Sequence, residues 1–295
     1  MRRTRLSSIG LTATVVMALA MLPVTVRADV KIDKKTFPDE KFRSYLLAQD
    51  YGKDGIITDE EIGGITDISV EERNIRSLEG IKVFTALQTL YCWNNQLTEL
   101  DVSECKALET LACHHNKLAE LNVSANSLLE SLTCNGNQLT GVDVSANTAL
   151  WYLDCDGNQL TELDVSANSE LEYLDCSDNQ LTELDVSGNT ALTDLLCNGN
   201  QLTELDVSGN TALQTLHCFY NEIRGKAMDA LIEGLNERDE ADEGYFVVYY
   251  QAEDDEPAEA NVFTKEQMAI VKAKNWIVQY AYKNEDSTEY DYLKN

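Results

Sequence analysis

Two groups of side chains recur at places where they could do chemistry. Seven cysteines, from Cys92 to Cys218, each lie 21 residues after the one before. Asp154 and Asp175 each directly precede one of these cysteines, and Asp194 lies close to another. Thiols in a regular series could form disulfides, and neighbouring carboxylates are what glycoside hydrolysis requires. Which chemistry is possible depends on how the chain places one copy of this spacing against the next.

The cysteines belong to a repeat with a fixed frame, L-x-x-L-x-C-x-x-N-x-L-x-x-L-x-V-S, between residues 87 and 223. Leu90 and Cys92 alternate with Tyr91, so the first two point to one face of a short strand and Tyr91 points to the other. A single unit cannot bury its apolar side, whereas stacked units can do so by pairing their strands in parallel. A fixed period in the twenties with this spacing is typical of a leucine-rich-repeat solenoid.

Parallel strands aim equivalent side chains in the same direction, which is poor geometry for disulfides. Because the number of these cysteines is also odd, they are predicted to be buried free thiols that pack as small apolar groups. Cys105 lies off this ladder, where later repeats carry Asn147 or Asn168, and is interpreted as a neutral replacement. The asparagines of the frame, from Asn95 to Asn221, are predicted to satisfy backbone groups where the chain leaves each strand.

The 21-residue repeat, the cysteine ladder and the tail L-T-E-L-D-V-S-x-N-T-A-L resemble the internalin J type of bacterial surface protein. The seven matching copies make up roughly half of the chain. The resemblance implies a secreted or surface-displayed adhesin that binds mucin or other cell-surface partners through the solenoid. The spacing by itself implies only the solenoid.

Four regions are expected along the chain. Residues 1–28 have the pattern of a signal peptide, with three early arginines, an apolar run and the small-residue site Val26-Arg27-Ala28. Residues 29–64 are predicted to form a helical, EF-hand-like N-terminal cap. Residues 65–224 are predicted to form the curved solenoid, which begins with a degenerate repeat, and residues 225–295 a small α/β C-terminal cap. We therefore expect a secreted or extracellular protein, or one displayed at the cell surface, without membrane insertion.

The chain is strongly acidic, with a formal net charge of −28 at pH 7. Removal of residues 1–28 would take away four arginines and leave 19 basic against 51 acidic residues, a net charge of about −32. Phosphate binding needs a basic face, so nucleic acid is excluded as a partner and anionic membrane surfaces are disfavoured. Basic partners and divalent cations remain compatible with this charge.

A twelve-residue stretch in the N-terminal cap, from Asp50 to Glu61, resembles an EF-hand loop. It has acids at its first, fifth and twelfth positions and a glycine at its sixth. The calcium ligands that this resemblance implies are Asp50, Asp54, Ile56, Thr58 and Glu61. Gly52 departs from the pattern at the third position, where a ligand side chain is expected, and the loop is single. The open alternative is a helix–loop–helix turn that holds no ion.

Residues that point away from the core vary between otherwise constant repeats and are expected to line the concave surface of the solenoid. Aromatic side chains set among acids are typical of a surface that recognises protein or glycan. The predicted partner-binding residues on this face are Tyr91, Trp93, His114, Tyr152, Asp154, Asp156, Tyr173, Asp175, Asp178, His217 and Phe219. The sharper hypothesis is a central patch that consists of Tyr152, Asp154, Asp156, Tyr173, Asp175 and Asp178. The alternative is that these columns are unconstrained, solvent-facing residues.

A glycan-acting enzyme is the opposing hypothesis. Aspartates on adjacent rungs would lie about 5 Å apart on an open, wet surface without a pocket to raise their pKa. His114 and His115 lack a companion at metal-ligand spacing, and no cysteine or histidine follows Cys218. The sequence therefore predicts a monomeric, non-enzymatic binding protein for a protein or glycoprotein ligand. A calcium-stabilised structural spacer is the alternative function.

Overall fold

The computed structural model describes residues 28–239, 241, 243–250, 261–283 and 290–294. Its N-terminal part holds strands β1 (Val30–Lys31) and β2 (Ile56–Ile57), which pair antiparallel, and helices α1 (Glu40–Ala48) and α2 (Asp59–Gly64). Asp39 caps α1 by accepting hydrogen bonds from the backbone N–H groups of Lys41 and Phe42, at 2.8 and 3.1 Å. Phe42 and Leu46 are buried and belong to the same apolar core as the strands that follow.

One sheet of eleven short strands runs through the rest of the described chain. Its strands are β3 (Asp67–Ser69), β4 (Thr89–Tyr91), β5 (Thr110–Ala112), β6 (Ser131–Thr133), β7 (Tyr152–Asp154), β8 (Tyr173–Asp175), β9 (Asp194–Leu196), β10 (Thr215–His217), β11 (Gly244–Tyr250), β12 (Trp276–Lys283) and β13 (Tyr290–Lys294). Neighbours pair in sequence order, in parallel from β3 to β12 and antiparallel between β12 and β13. The predicted stack of parallel rungs is confirmed.

Strand β3 comes from the degenerate first repeat. Ile68 pairs with Leu90, an offset of 22 residues, whereas the rungs from β4 to β10 repeat every 21 residues. Val70 occupies the place of the cysteine and is fully buried. The first rung therefore keeps the apolar interior of the stack although its sequence departs from the frame.

The leucine and cysteine of each rung face the interior, where Leu90, Cys92 and their equivalents are inaccessible to solvent. All eight cysteines are free and buried, which confirms the prediction made for the seven cysteines of the ladder. Burial raises the pKa of the ladder thiols from Cys92 to Cys197, so they remain protonated and pack as small apolar groups. Cys105, off the ladder, is also buried, and burial raises its pKa to about 12.

The asparagines of the frame form an internal ladder that joins each rung to the one before. The Nδ2 atom of Asn158 donates to the backbone carbonyls of Cys134 and Cys155, at 3.2 and 3.0 Å. Its Oδ1 atom accepts a hydrogen bond from the backbone N–H of Leu139 in the preceding rung, at 3.0 Å. The same pattern recurs along the stack, which confirms the predicted structural role of these asparagines.

A second asparagine ladder occupies the place that Cys105 holds in the first repeat. Asn168 donates through Nδ2 to the carbonyls of Val144 and Asn147, at 3.2 and 2.8 Å, and is fully buried. Equivalent bonds join Asn126, Asn147, Asn189 and Asn210 to their preceding rungs. Asparagine side chains therefore join neighbouring rungs at two separate turns. From the sequence, a structural role is predicted only for the first of these two ladders.

The C-terminal part continues the sheet. Helices α3 (Lys226–Gly234) and α4 (Lys265–Ala273) accompany the strands from β11 to β13. Thr264 caps α4 in a reciprocal pair with Gln267. The strand β13 was not predicted. Because β11 pairs in parallel with β10, the C-terminal part extends the rungs rather than standing apart from them.

The longest helices in the described ranges have nine residues, whereas a helix needs about 20 to span a bilayer. None of the described helices is long and apolar enough to cross a membrane. The predicted signal peptide at residues 1–28 lies, apart from Ala28, outside the described residues.

Replacing Asn158 with alanine is expected to destabilise the solenoid. The change leaves the buried N–H of Leu139 and the carbonyls of Cys134 and Cys155 without this partner, at a cost on the order of 3 kcal/mol. Urea unfolding followed by circular dichroism measures the effect. Asn122→Ala, which changes an exposed asparagine, is the control and should shift the midpoint much less. Equal shifts in both variants would refute the ladder's role in stability.

Candidate partner-binding face

The outward residues of the short strands form one continuous face. In each strand from β4 to β10 the middle leucine is buried, while the residues on either side of it point outward. We call this surface the outer sheet face; it consists of the first and third residues of these strands and the residue after each ladder cysteine. It carries the eleven predicted partner-binding residues except Asp178, which lies in the adjoining turn.

At the N-terminal end of the outer sheet face, Tyr91 is 39% exposed. The ring of Trp93 stacks on that of His114, with centroids 5.3 Å apart and planes 6° apart. Burial, and to a lesser degree the neighbouring His115, lowers the pKa of His114. His114 is therefore neutral at physiological pH and contributes a flat ring rather than a positive charge.

The centre of the outer sheet face carries an aromatic cluster on β7 and β8. Tyr152 and Tyr173 stack face to face, with centroids 4.5 Å apart and planes 5° apart. Trp151, which is 43% exposed, meets Tyr152 edge to face at 5.6 Å. The structure thus brings together the two tyrosines of the predicted central patch and adds a tryptophan to them.

Carboxylates follow the tyrosines on the same two strands. Burial, with a contribution from Asp175, raises the pKa of Asp154 to about 7. Burial and the charges of Asp175, Asp178 and Asp154 raise the pKa of Asp156 to about 7. Burial also raises the pKa of Asp175, although hydrogen bonds that its carboxylate accepts from Ser177 oppose this shift.

The expectation that these aspartates lie on a fully open, wet surface is therefore wrong. Close stacking of the rungs half-buries Asp154, Asp156 and Asp175 and sets their charges side by side. Like charges in a partly desolvated cluster cannot all ionise at neutral pH. The cluster consequently changes its charge in the physiological pH range. Such a change is one requirement of acid–base catalysis and of pH-dependent binding, but it is not sufficient for either.

The C-terminal end of the outer sheet face is covered. Phe219 is fully buried and packs with Val247 of β11, and His217 is only 8% exposed. Burial lowers the pKa of His217 to about 4, so this imidazole is neutral. The prediction that His217 and Phe219 face a partner is therefore corrected, because β11 pairs with β10 and its residue Val247 packs against Phe219.

The three acidic side chains among the five predicted calcium ligands are engaged with other partners. Asp50 pairs with Lys53, and Asp54 accepts a hydrogen bond from the backbone N–H of Ile56 at 2.9 Å. Glu61 is engaged in a capping box, where its Oε2 accepts from the backbone N–H and the hydroxyl of Thr58, at 2.8 and 2.9 Å. Within the described ranges, no group of three or more histidine, cysteine or acidic side chains is placed to hold a metal ion.

Gly52 explains why the third position of the loop departs from the EF-hand pattern. A Cβ atom there would lie 1.9 Å from the carbonyl oxygen of Leu46, so only glycine fits. The position cannot supply a side-chain ligand without moving α1. Calcium binding stays a prediction, and it would require Asp50 and Glu61 to leave their present partners.

Comparisons with known proteins place this fold among repeat proteins. A family model for two copies of leucine-rich repeats matches residues 85–126. The functional domain of InlJ from Listeria monocytogenes, described as including a cysteine ladder, is 30% identical with a TM-score of 0.61, over 84% of this chain and 56% of that one. The chain thus spans little more than half of that relative. No curated protein sequence gives a significant match.

Two further solved structures share the fold at lower identity. Internalin C2 from Listeria monocytogenes has a TM-score of 0.60 at 21% identity, over 67% of this chain and 91% of that one. The leucine-rich-repeat protein LIC12759 from Leptospira interrogans has a TM-score of 0.58 at 21% identity, over 73% of this chain and 55% of that one. At such identity these two matches support the fold alone.

Substitutions of Glu61 separate helix capping from ion binding. Glu61→Ala removes the acceptor of the Thr58 N–H and is expected to lower the stability by about 1 kcal/mol. Glu61→Gln keeps an acceptor oxygen and should cost much less. Thermal melting with added calcium or with a chelator completes the test, and a midpoint that neither addition shifts would favour the turn that holds no ion. A calcium-dependent rise in the wild type that Glu61→Gln abolishes would establish the loop as an ion site.

Neutralising Asp154 and Asp156 is expected to stabilise the protein only at pH values at which these carboxyl groups ionise in the wild type. Their folded pKa of about 7 lies above the ordinary aspartate pKa of 3.8, so stability is lost as the pH rises between these two values. The double variant Asp154→Asn/Asp156→Asn should melt at a higher temperature near pH 8 and close to the wild type near pH 4. Asp143→Asn is the control, because the pKa of Asp143 is lowered and neutralising it should bring no gain.

Proposed function

Because the chain is a leucine-rich-repeat protein with an internalin-like fold, we propose that it is a secreted or surface-displayed, adhesin-like binding protein. Its partner would be a protein or glycoprotein held against the outer sheet face. The observation that carries this proposal is the aromatic and acidic patch on β7 and β8. Tyr152 and Tyr173 stack beside the exposed Trp151, and the cluster of Asp154, Asp156 and Asp175 follows on the same two rungs.

The aromatic part of the patch suits an anchor for binding. Tyrosine and tryptophan offer large contact areas at a small cost in side-chain entropy, and they dominate the energies of many interfaces. The stack of Tyr152 on Tyr173 fixes both rings before a partner arrives. A preformed surface loses less entropy on binding than a mobile one.

The acidic part of the patch selects the chemistry of the partner. Carboxylates that are partly protonated near neutral pH can accept hydrogen bonds from hydroxyl, amide or cationic groups, and can donate when protonated. Cationic groups of a partner would favour the ionised form of Asp154 and Asp156 and would lower their pKa. Binding of a basic partner is therefore expected to strengthen as the pH rises through about 7.

Secretion and the absence of enzymatic activity are part of the same proposal. The charged start, apolar run and small-residue site at residues 1–28 support export. A binding role asks the patch only to be rigid and complementary, whereas catalysis would also need a substrate-enclosing site around the aspartates. A protein built from stacked rungs suits the first task, because its rigid surface extends over many repeats.

Binding assays on the purified protein test the proposed function. Mucin, a glycan array and cell-surface protein extracts would be offered to the wild type and to Tyr152→Ala/Tyr173→Ala, and affinity would be measured below and above pH 7. Loss of the two anchors is expected to weaken binding at least about tenfold. Leu128→Ala is the control, since Leu128 is 53% exposed and lies outside the outer sheet face. Equal binding by all three folded proteins would exclude the central patch as the site.

A further inference from the structure

A second surface of the solenoid is grooved. After each asparagine turn the chain leaves the sheet and passes along the segment that reads Leu-Thr-Glu-Leu-Asp-Val-Ser in the regular repeats. The segments of five successive rungs line a groove of about 1570 Å³, and α3 contributes Ala227, Ala230, Glu233 and Gly234 to its lining. We call this the flank groove. It shares no residue with the outer sheet face.

The flank groove has an apolar seam between two acidic rows. The seam consists of residues that are only 4 to 8% exposed: Leu121, Val142, Leu163, Leu184 and Leu205. One row carries Glu120, Glu162, Glu183 and Glu204, and the other carries Asp143, Asp164, Asp185 and Asp206. Adjacent rungs are about 4.8 Å apart, so the groove from Glu120 to Glu204 extends over roughly 19 Å.

The aspartate row is held in place and stays ionised. Asp164 accepts a hydrogen bond from the backbone N–H of Ser166 at 2.9 Å, and Asp185 accepts one from Ser187 at 2.9 Å. Hydrogen bonds from the hydroxyls of the same serines, together with these backbone bonds, lower the pKa of both carboxyls. Unlike Asp154 on the outer sheet face, these groups keep their negative charge throughout the physiological pH range.

The flank groove lacks neutralising charge of its own. Its lining contains no lysine or arginine. Within the described part of the chain, the ion pairs involve Asp50, Asp101, Glu104 and Glu222, none of which lines the groove. Eight carboxylates in two parallel rows therefore face solvent beside an apolar seam, which is an arrangement that complements a long, positively charged and partly apolar ligand.

We propose that the flank groove binds an extended, lysine- or arginine-rich segment of a partner polypeptide. Such a segment rises about 3.3 Å per residue, so about six residues would span the roughly 19 Å between the first and last glutamates. The aliphatic stems of lysine and arginine can cover the leucine seam while their charged heads reach the acidic rows. A compact metal ion fits less well, because no three acidic side chains in the described ranges converge on one point.

The test uses a fluorescein-labelled peptide of alternating lysine and alanine, about twelve residues long, titrated with the full protein and followed by fluorescence anisotropy. The groove variant carries Glu162→Gln, Glu183→Gln, Asp164→Asn and Asp185→Asn. Asn122 and Gly141 occupy equivalent places in natural repeats, so loss of charge in these rows is compatible with the fold. Removal of four of the eight row charges is expected to weaken binding at least about tenfold at moderate salt.

A matched control removes the same net charge from exposed glutamates outside the flank groove: Glu60→Gln, Glu72→Gln, Glu130→Gln and Glu172→Gln. This control should bind the peptide within about threefold of the wild type. Equal weakening of both variants would overturn the proposal, because it would reduce the interaction to general charge attraction. Calcium that displaces the peptide from the wild type at low millimolar concentration would also overturn it, in favour of a cation site.

Two further measurements keep the outcome unambiguous. Glu183→Lys alone places a positive charge in the middle of the row and should weaken binding with a single change, which supports the proposal even where the fourfold variant folds poorly. Tyr152→Ala/Tyr173→Ala should bind the basic peptide as the wild type does, since these residues lie on the outer sheet face. Loss of peptide binding in that variant would overturn the flank groove as the site, independently of the fate of the proposed adhesin function.

Discussion

The structure depends on how the backbone is satisfied where it leaves each three-residue strand. A strand this short pairs few of its own groups, and the turns that follow would bury unpaired carbonyls and N–H groups at every rung. Asparagines equivalent to Asn158 form hydrogen bonds with these backbone groups at the end of each strand. Asparagines equivalent to Asn168 donate to backbone carbonyls at the second turn of the rung. With both corners fastened to the preceding rung, the leucines and thiols only have to fill the interior. The outward positions are then free to vary, and function can be placed on them.

The fold could be read from the sequence because its determinants recur. The period, the buried Leu-x-Cys pair and the asparagine of the frame each appear seven times, so a local rule becomes a global one. Features that occur once were harder to predict. The covering of Phe219 depends on β11, which pairs with β10 from far along the chain and obeys no repeat. The sequence from Asp50 to Glu61 resembles an ion-binding loop, but the close approach of the Leu46 carbonyl and the capping of α2 determine its geometry.

The candidate site was predicted better in its residues than in its physical state. Tyr152 and Tyr173 follow from counting positions along the frame, and their stacking follows from parallel register. The raised pKa of Asp154 could not be predicted in this way, because it arises from desolvation by neighbouring rungs together with the charge of Asp175. Sequence position tells which way a side chain points, whereas its exposure depends on the size of what is stacked above and below it. The contact of the exposed Trp151 with Tyr152 likewise requires the three-dimensional arrangement, because no repeated position predicts it.

The two acidic surfaces differ although both are rows of carboxylates on the same rungs. On the outer sheet face, Asp154 and Asp156 are half-buried among like charges, so burial holds back their ionisation. In the flank groove, Asp164 is exposed and receives hydrogen bonds from Ser166, so its charge is stabilised. Binding of a partner to the outer sheet face would therefore compete with protonation of the aspartates near neutral pH. Binding of a basic segment in the flank groove would not, because the charge of the groove stays constant in this range. One repeat can thus present a pH-sensitive surface and a permanently anionic one, because each is set by local solvation rather than by the net charge of the chain.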